Sequence, residues 1–124
     1  MCGREDKIRM RHMLDAAKEA VSFARGKTRK SLDKNRMLTL SLVKDIEIIG
    51  EAATAISKDC REKYPHIPWK SIANMRNRLI HAYFDINLDV VWQTIAVDVP
   101  SLIAEFEKIL IRALGVWLSL CASA

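Results

Sequence analysis

With 124 residues, half of them apolar and 28% charged, the chain has the profile of one soluble globular domain, not of a disordered tract. Its net charge of +5 is unevenly placed: residues 1–36 carry eleven Lys and Arg against five Asp and Glu, and residues 37–124 nine against ten. A basic N-terminal third suits a polyanion such as RNA, and it suits a solvated basic helix face at least as well.

Cys2, Cys60 and Cys121 form no CxxC pair and no His/Cys cluster, so reduced thiols are expected, with no zinc site, no other metal or cofactor, and no disulfide framework. The charged start, Met1 to Lys7, lacks the apolar run of a secretory signal. The apolar stretch Ile109 to Leu120 contains Arg112 and is shorter than the about 20 residues that span a bilayer. The expectation is a cytoplasmic protein without a membrane segment. Cys121-Ala122-Ser123-Ala124 matches a prenylation box in form only, since small residues are common at chain ends.

A 3.6-residue period dominates the chain. A first helix is expected over 5–25, with Met10, Met13, Leu14, Ala17, Val21 and Ala24 on one stripe and Gly26 as terminator. Lys27-Thr28-Arg29-Lys30 reads as an exposed basic loop. A second helix, 36–57, is apolar on more than one face, as a central or interface helix would be. Gly50 inside it costs about 1 kcal/mol relative to alanine, which close approach of another helix would justify. Tyr64-Pro65-His66-Ile67-Pro68 is a loop, and Pro68 fits the first turn of a third helix that fades near Tyr83 to Asp85.

Asn87 suits the N-cap of a fourth helix, with Asp89 in its first turn and Pro100 expected to bend it. The fold class expected is all-α, an antiparallel four-helix bundle. Its domain would cover residues 1–112, with 113–124 an apolar tail of unknown role.

On a regular third helix Arg76 and Tyr83 lie within about 20° of each other, on the side of Ile72, Leu79 and Ile80. An unpaired guanidinium in such a stripe is costly, so Arg76 must meet an anion, a carbonyl edge or a second chain. Glu47 and Glu51 read as its bundle or interface partners, not as general bases. His81 lies about 140° from Arg76, while Asn77 and Arg78 share its face. For Arg76 and His81 to act together, the helix must unwind near His81 or a second subunit must supply its own copy. Trp69 and Trp92 could stack on bases, though their spacing reads more as core.

Arg76, four residues, His81, one residue and Tyr83, with Asn77 directly after the Arg, resembles the motif of HepT-type HEPN toxins. Arg11-His12-Met13-Leu14, Glu47-Ile48-Ile49-Gly50-Glu51-Ala52, Ile67-Pro68-Trp69 and Tyr83-Phe84-Asp85 stand around it in the order of that family, so the likeness runs from about Arg4 to Leu110. The resemblance implies a HEPN-type bundle, dimeric, with two motifs facing one cleft. It implies a metal-independent endoribonuclease acting on RNA, with Arg76 and His81 catalytic and Asn77 supporting. It also implies a partner antitoxin, a minimal MntA-like nucleotidyltransferase that adds AMP to Tyr83. Two other readings stand beside it: a non-catalytic HEPN partner that binds nucleotide or substrate for a nucleotidyltransferase, and a structural dimerisation bundle.

Overall fold

The computed structural model describes residues 2–82 and 85–110, with residues 81 and 82 described by their backbone alone. Helix α1 (Arg4–Ala24) ends at Gly26, whose φ of 74° is the left-handed value that glycine adopts without cost. A six-residue helix, α2 (Arg29–Lys34), follows, and Asn35 then caps α3 (Arg36–Ala55) by accepting from the Leu38 N–H at 3.0 Å. A second six-residue helix, α4 (Lys58–Lys63), is capped by Ser57, whose Oγ accepts from the Cys60 N–H at 3.2 Å.

Helix α1 lies along α3 in the opposite sense, because Asp6 near its start meets Ser57 beyond the end of α3. Met10, Met13, Leu14 and Ala17 of α1 and Leu42, Ile46 and Ile49 of α3 are buried together. Each such large apolar side chain contributes about 1.5–3 kcal/mol on burial. Val91, Ile95, Val99 and Phe106 complete the core from a helical run that starts as α7 (Leu88–Gln93), passes through a π-turn (Thr94–Asp98) and continues over 99–110. Asn87 caps this run by accepting from the Val90 N–H at 3.2 Å, as its position in the sequence implied. The π-turn directly precedes Pro100, whose ring has no place against the carbonyl four residues back in a regular α-helix.

The architecture is an all-α bundle, with two departures from a plain four-helix plan. First, the stretch expected to be one helix from Pro68 to about Tyr83 is three elements: α5 (Trp69–Ala73), α6 (Met75–Leu79) and a β-hairpin of β1 (Ile80–Ala82) and β2 (Asp85–Ile86). Asn74, between α5 and α6, has φ −95° and ψ 3°, a bridge conformation, although its N–H still reaches the Lys70 carbonyl at 3.2 Å. Second, the basic loop expected at residues 27–30 is in part the start of α2. There Leu32 is buried and Arg29 is committed, with Nε 2.6 Å from Asp89 Oδ1 and Nη1 3.1 Å from Asp33 Oδ1.

Gly50 is where the close approach occurs: a Cβ there would stand 3.4 Å from the Ile72 carbonyl oxygen and 3.5 Å from that of Ala73. The backbone of α5 therefore rests on α3 at the glycine.

The expectation of reduced thiols is overturned at two of the three cysteines, because Cys2 and Cys60 form a disulfide. Spacing rules cannot see it, since 58 residues separate the pair and tertiary contacts bring them together. Asp6 makes those contacts, accepting from the Gly3 N–H (3.2 Å), the Ser57 N–H (2.8 Å) and the Ser57 hydroxyl (2.6 Å). The bond also removes the argument from reduced thiols for a cytoplasmic location. Cys121, the prenylation-like terminus and the tail 113–124 lie outside the described residues. No described helix is long and apolar enough to cross a membrane.

Candidate functional site

Beyond the break at Asn74 the buried line of Trp69 and Ile72 continues. Met75 and Leu79 turn inward and are almost fully buried, which leaves Arg76, Asn77 and Arg78 exposed. Arg76 is therefore not embedded in an apolar stripe; its side chain is 51% exposed. It meets one of the two carboxylates expected for it. Arg76 Nε donates to Glu47 Oε1 of α3 at 3.1 Å, whereas Glu51 is exposed and makes no ion pair among the described residues. The contact is through Nε alone, so the outer edge of the guanidinium has no hydrogen-bond partner among the described residues. That planar edge is the part of an arginine that matches a phosphate in a two-point grip.

His81 is not on the helix. Ile80 pairs with Ile86 and Ala82 with Asp85, so His81 is an extra residue on its strand, the residue of a β-bulge. Bulges re-aim a side chain relative to the regular strand alternation. The helical angle of about 140° between Arg76 and His81 therefore does not apply. Of the two ways of reconciling the pair, unwinding of the helix before His81 is what the chain does. The hairpin is closed at its base by the Asn87 N–H donating to the Leu79 carbonyl at 2.7 Å. The His81 side chain and the whole of Tyr83 lie outside the described residues.

Arg78 points away from Glu47, with Nη2 3.4 Å from the Ser71 carbonyl, beside a cavity of about 420 Å3 against helix 99–110. Trp69 is core, packed on Phe106 at 5.9 Å between ring centroids, with Nε1 donating to the Tyr64 carbonyl at 3.0 Å. Trp92 is half-buried against the core. No group of three or more His, Cys, Asp or Glu side chains among the described residues is placed to hold a metal ion.

A second titratable cluster lies in the seam between α1 and α3, around a cavity of about 250 Å3 lined by His12, Asp15, Glu19 and Asp45. Asp45 is 1% exposed and its Oδ2 has no hydrogen-bond partner. Burial, then a hydrogen bond and the negative charge of Glu19, push its carboxyl up to about 7. When protonated, this carboxyl would gain a donor to share with Glu19. Motif and periodicity do not single out this pair, although an Asp at a position flanked by Leu42, Val43, Ile46 and Ile49 on α3 signals a buried carboxyl.

Comparison with known proteins bears on the same segment. A family model described as "Ribonuclease HepT-like" matches residues 13–109. A Methanocaldococcus jannaschii protein named "Putative RNase MJ1216" is 37% identical over 107 residues, 86% of this chain and 88% of that one. "Putative RNase TTE0752" of Caldanaerobacter subterraneus subsp. tengcongensis is 37% identical over 101 residues, 82% of this chain and 90% of that one. "Probable ribonuclease HepT" of Thermococcus cleftensis is 45% identical over 69 residues, 56% of this chain and 63% of that one. No solved structure matches.

Proposed function

The chain belongs to the HepT-like ribonuclease family, and from that premise we propose that it is a metal-independent endoribonuclease in which Arg76 and His81 act on one RNA phosphodiester. The observation that carries this reading is the tether of Arg76. Glu47 holds its Nε and leaves the outer guanidinium edge open on an exposed helix, five residues before a histidine at a bulge.

His81 takes the proton of the ribose 2′-hydroxyl as general base. The 2′-oxygen then attacks phosphorus, the bond from phosphorus to the 5′-oxygen breaks, and that oxygen leaves as a hydroxyl after taking a proton. Arg76 stabilises the charge that builds on the non-bridging oxygens, and Asn77 orients the phosphate or the imidazole. The products are a 2′,3′-cyclic phosphate and a 5′-hydroxyl.

The active form in this reading is a homodimer. On α3 the exposed Met37 and Leu40 lie near Arg36 and Lys44, while Glu47 and Glu51 occupy its C-terminal half. Two copies set antiparallel on this face would bring the N-terminal end of one, with Arg36, Met37 and Leu40, against Glu47 and Glu51 of the other. The protein would serve as the toxin of a toxin–antitoxin pair in the cytoplasm, silenced when a nucleotidyltransferase adds AMP to Tyr83. The added phosphodiester would bring negative charge and bulk to a motif meant to hold an RNA phosphate.

The test is cleavage of RNA by the purified protein in excess EDTA, with His81→Ala abolishing it while the circular-dichroism spectrum is unchanged. Activity that needs a divalent metal, or that survives loss of both Arg76 and His81, defeats the mechanism. Absence of cleavage together with tight nucleotide binding in a complex with the transferase would point instead to a non-catalytic partner.

A further inference from the structure

Two cavities, of about 650 and about 420 Å3, lie end to end between the start of α1, the 64–68 loop, α5 and helix 99–110, and they share His66 and Glu105. We propose that these two adjoining cavities form one path that binds the single-stranded RNA flanking the cleaved phosphodiester; the proposal rests on the ribonuclease reading above.

The composition is that of a single-strand channel, which combines cations along the backbone path with π faces on which bases stack in any sequence. Lys7, Lys63 and Lys108 line the larger cavity, and Arg78 the smaller. Lys7 makes no ion pair among the described residues, Lys63 only overhangs the Tyr64 ring at 5.5 Å, and Arg78 touches only the Ser71 carbonyl. The acid inside the cleft is already answered: Glu105 Oε2 is 3.1 Å from His66 Nε2, and its Oε1 is 3.6 Å from Lys108 Nζ. Asp98, in the smaller cavity, leaves the larger one as the better seat for phosphates.

The π faces are supplied by Tyr64 and His66, set edge to face with centroids 6.3 Å apart and planes at 79°. They stand over an apolar floor that includes Met10 and Ile109. Arg78 is two residues from Arg76 on the same short helix α6 and so projects from roughly the opposite side of it, which puts the cleft around that helix from the scissile phosphate. A strand leaving the scissile phosphate past α6 would meet Arg78 first, then His66 and Tyr64, then the three lysines. A docking site for an acidic protein would use the same lysines but would have no need of stacked aromatic faces.

The experiment uses the intact protein and fluorescent 2′-O-methyl oligonucleotides, which present phosphates and bases but no attackable 2′-hydroxyl. Lys7→Ala/Lys63→Ala should weaken binding by about tenfold at moderate salt and lower the slope of log Kd against log salt by about 1.4, the single-strand value for two lost contacts. Tyr64→Leu should weaken binding while leaving that slope in place. Lys30→Ala/Lys34→Ala, which removes equal charge from α2, should change affinity by less than twofold. The cleft is wrong if the Lys7/Lys63 variant binds as the wild type does, if the α2 control loses as much, or if a polyglutamate peptide of equal charge competes as well as RNA. Failure of the wild type to cleave RNA at all would instead defeat the ribonuclease reading, so the two failures are distinct.

Discussion

Arg76 donates through Nε to Glu47 Oε1 at 3.1 Å, joining the motif helix to the central helix by the inner edge of a guanidinium whose outer edge faces away. An ion pair this exposed contributes no more than about 1 kcal/mol to folding. Its value lies in orientation. Glu47→Ala should cost at most about 1 kcal/mol in a denaturant melt, yet lower kcat for RNA cleavage by on the order of tenfold, one lost positioning contact. Glu47→Gln, which keeps the acceptor and drops the charge, should recover part of that loss. Equal rates for all three proteins would show that Glu47 does not position Arg76.

The Asp45–Glu19 pair makes stability depend on pH near neutrality. The Asp45 carboxyl is raised from the ordinary 3.8 to about 7 in the folded chain, so folding binds a proton there. The resulting stability is fully present below about pH 4 and is lost as pH rises through about 7. Asp45→Asn should therefore be more stable than the wild type at pH 8, by at most about 4 kcal/mol, and should converge with it near pH 4. Denaturant midpoints at pH 4, 6 and 8 decide this, and parallel curves for the two proteins would refute it.

Asp6 acts in the opposite direction. Burial opposes its ionisation, but the Ser57 hydroxyl, the Ser57 and Gly3 N–H groups and the Arg9 charge outweigh burial and hold its carboxyl below the usual range. Its contribution is present above about pH 4 and disappears as pH falls through the depressed value. Asp6→Asn should lose stability at pH 6, and the acid limb of the wild-type stability curve should flatten in the variant.

The Cys2–Cys60 disulfide closes a loop with a sequence separation of 58 residues. Chain-entropy arguments put its stabilisation at about 4 kcal/mol or less for a loop of that length. Reduction, or Cys2→Ser/Cys60→Ser, should lower the melting temperature while the helical spectrum persists, because Asp6 and Ser57 still tie the same ends. An unchanged melting temperature after complete reduction would argue that the bond adds nothing.

The long elements are legible in the sequence because they are long: α1 and α3 fall within one or two residues of their hydrophobic periods, and Gly26, Gly50 and Asn87 play the parts their positions imply. The six-residue helices α2 and α4 are not, since so few residues show no period; the N-cap Ser57, and Thr28 before α2, are their only local signals. That Arg76 meets a carboxylate of α3 is legible in the sequence; which of Glu47 and Glu51 it meets is not. The exposure of Arg76 is not legible either, because the neighbouring Met75 takes the inward position on the helix. The helical-angle conflict between Arg76 and His81 is itself a sign that the helix does not continue. The disulfide has no sequence signature at all, since its partners meet only through tertiary contacts.

The bulge at His81 has a consequence for how the protein opens. Arg76 sits on a helix anchored by the buried Met75 and Leu79, whereas His81 sits on a hairpin with only two paired residues on each strand. A two-stranded hairpin has little stability of its own, so the free energy of exposing its amides lies well below that of unfolding the core. The two halves of the motif thus belong to different cooperative units. Hydrogen exchange at Ile80 and Ala82 would run orders of magnitude ahead of that at Ile46 or Ile49, and heat would take the site apart well before it melts the bundle.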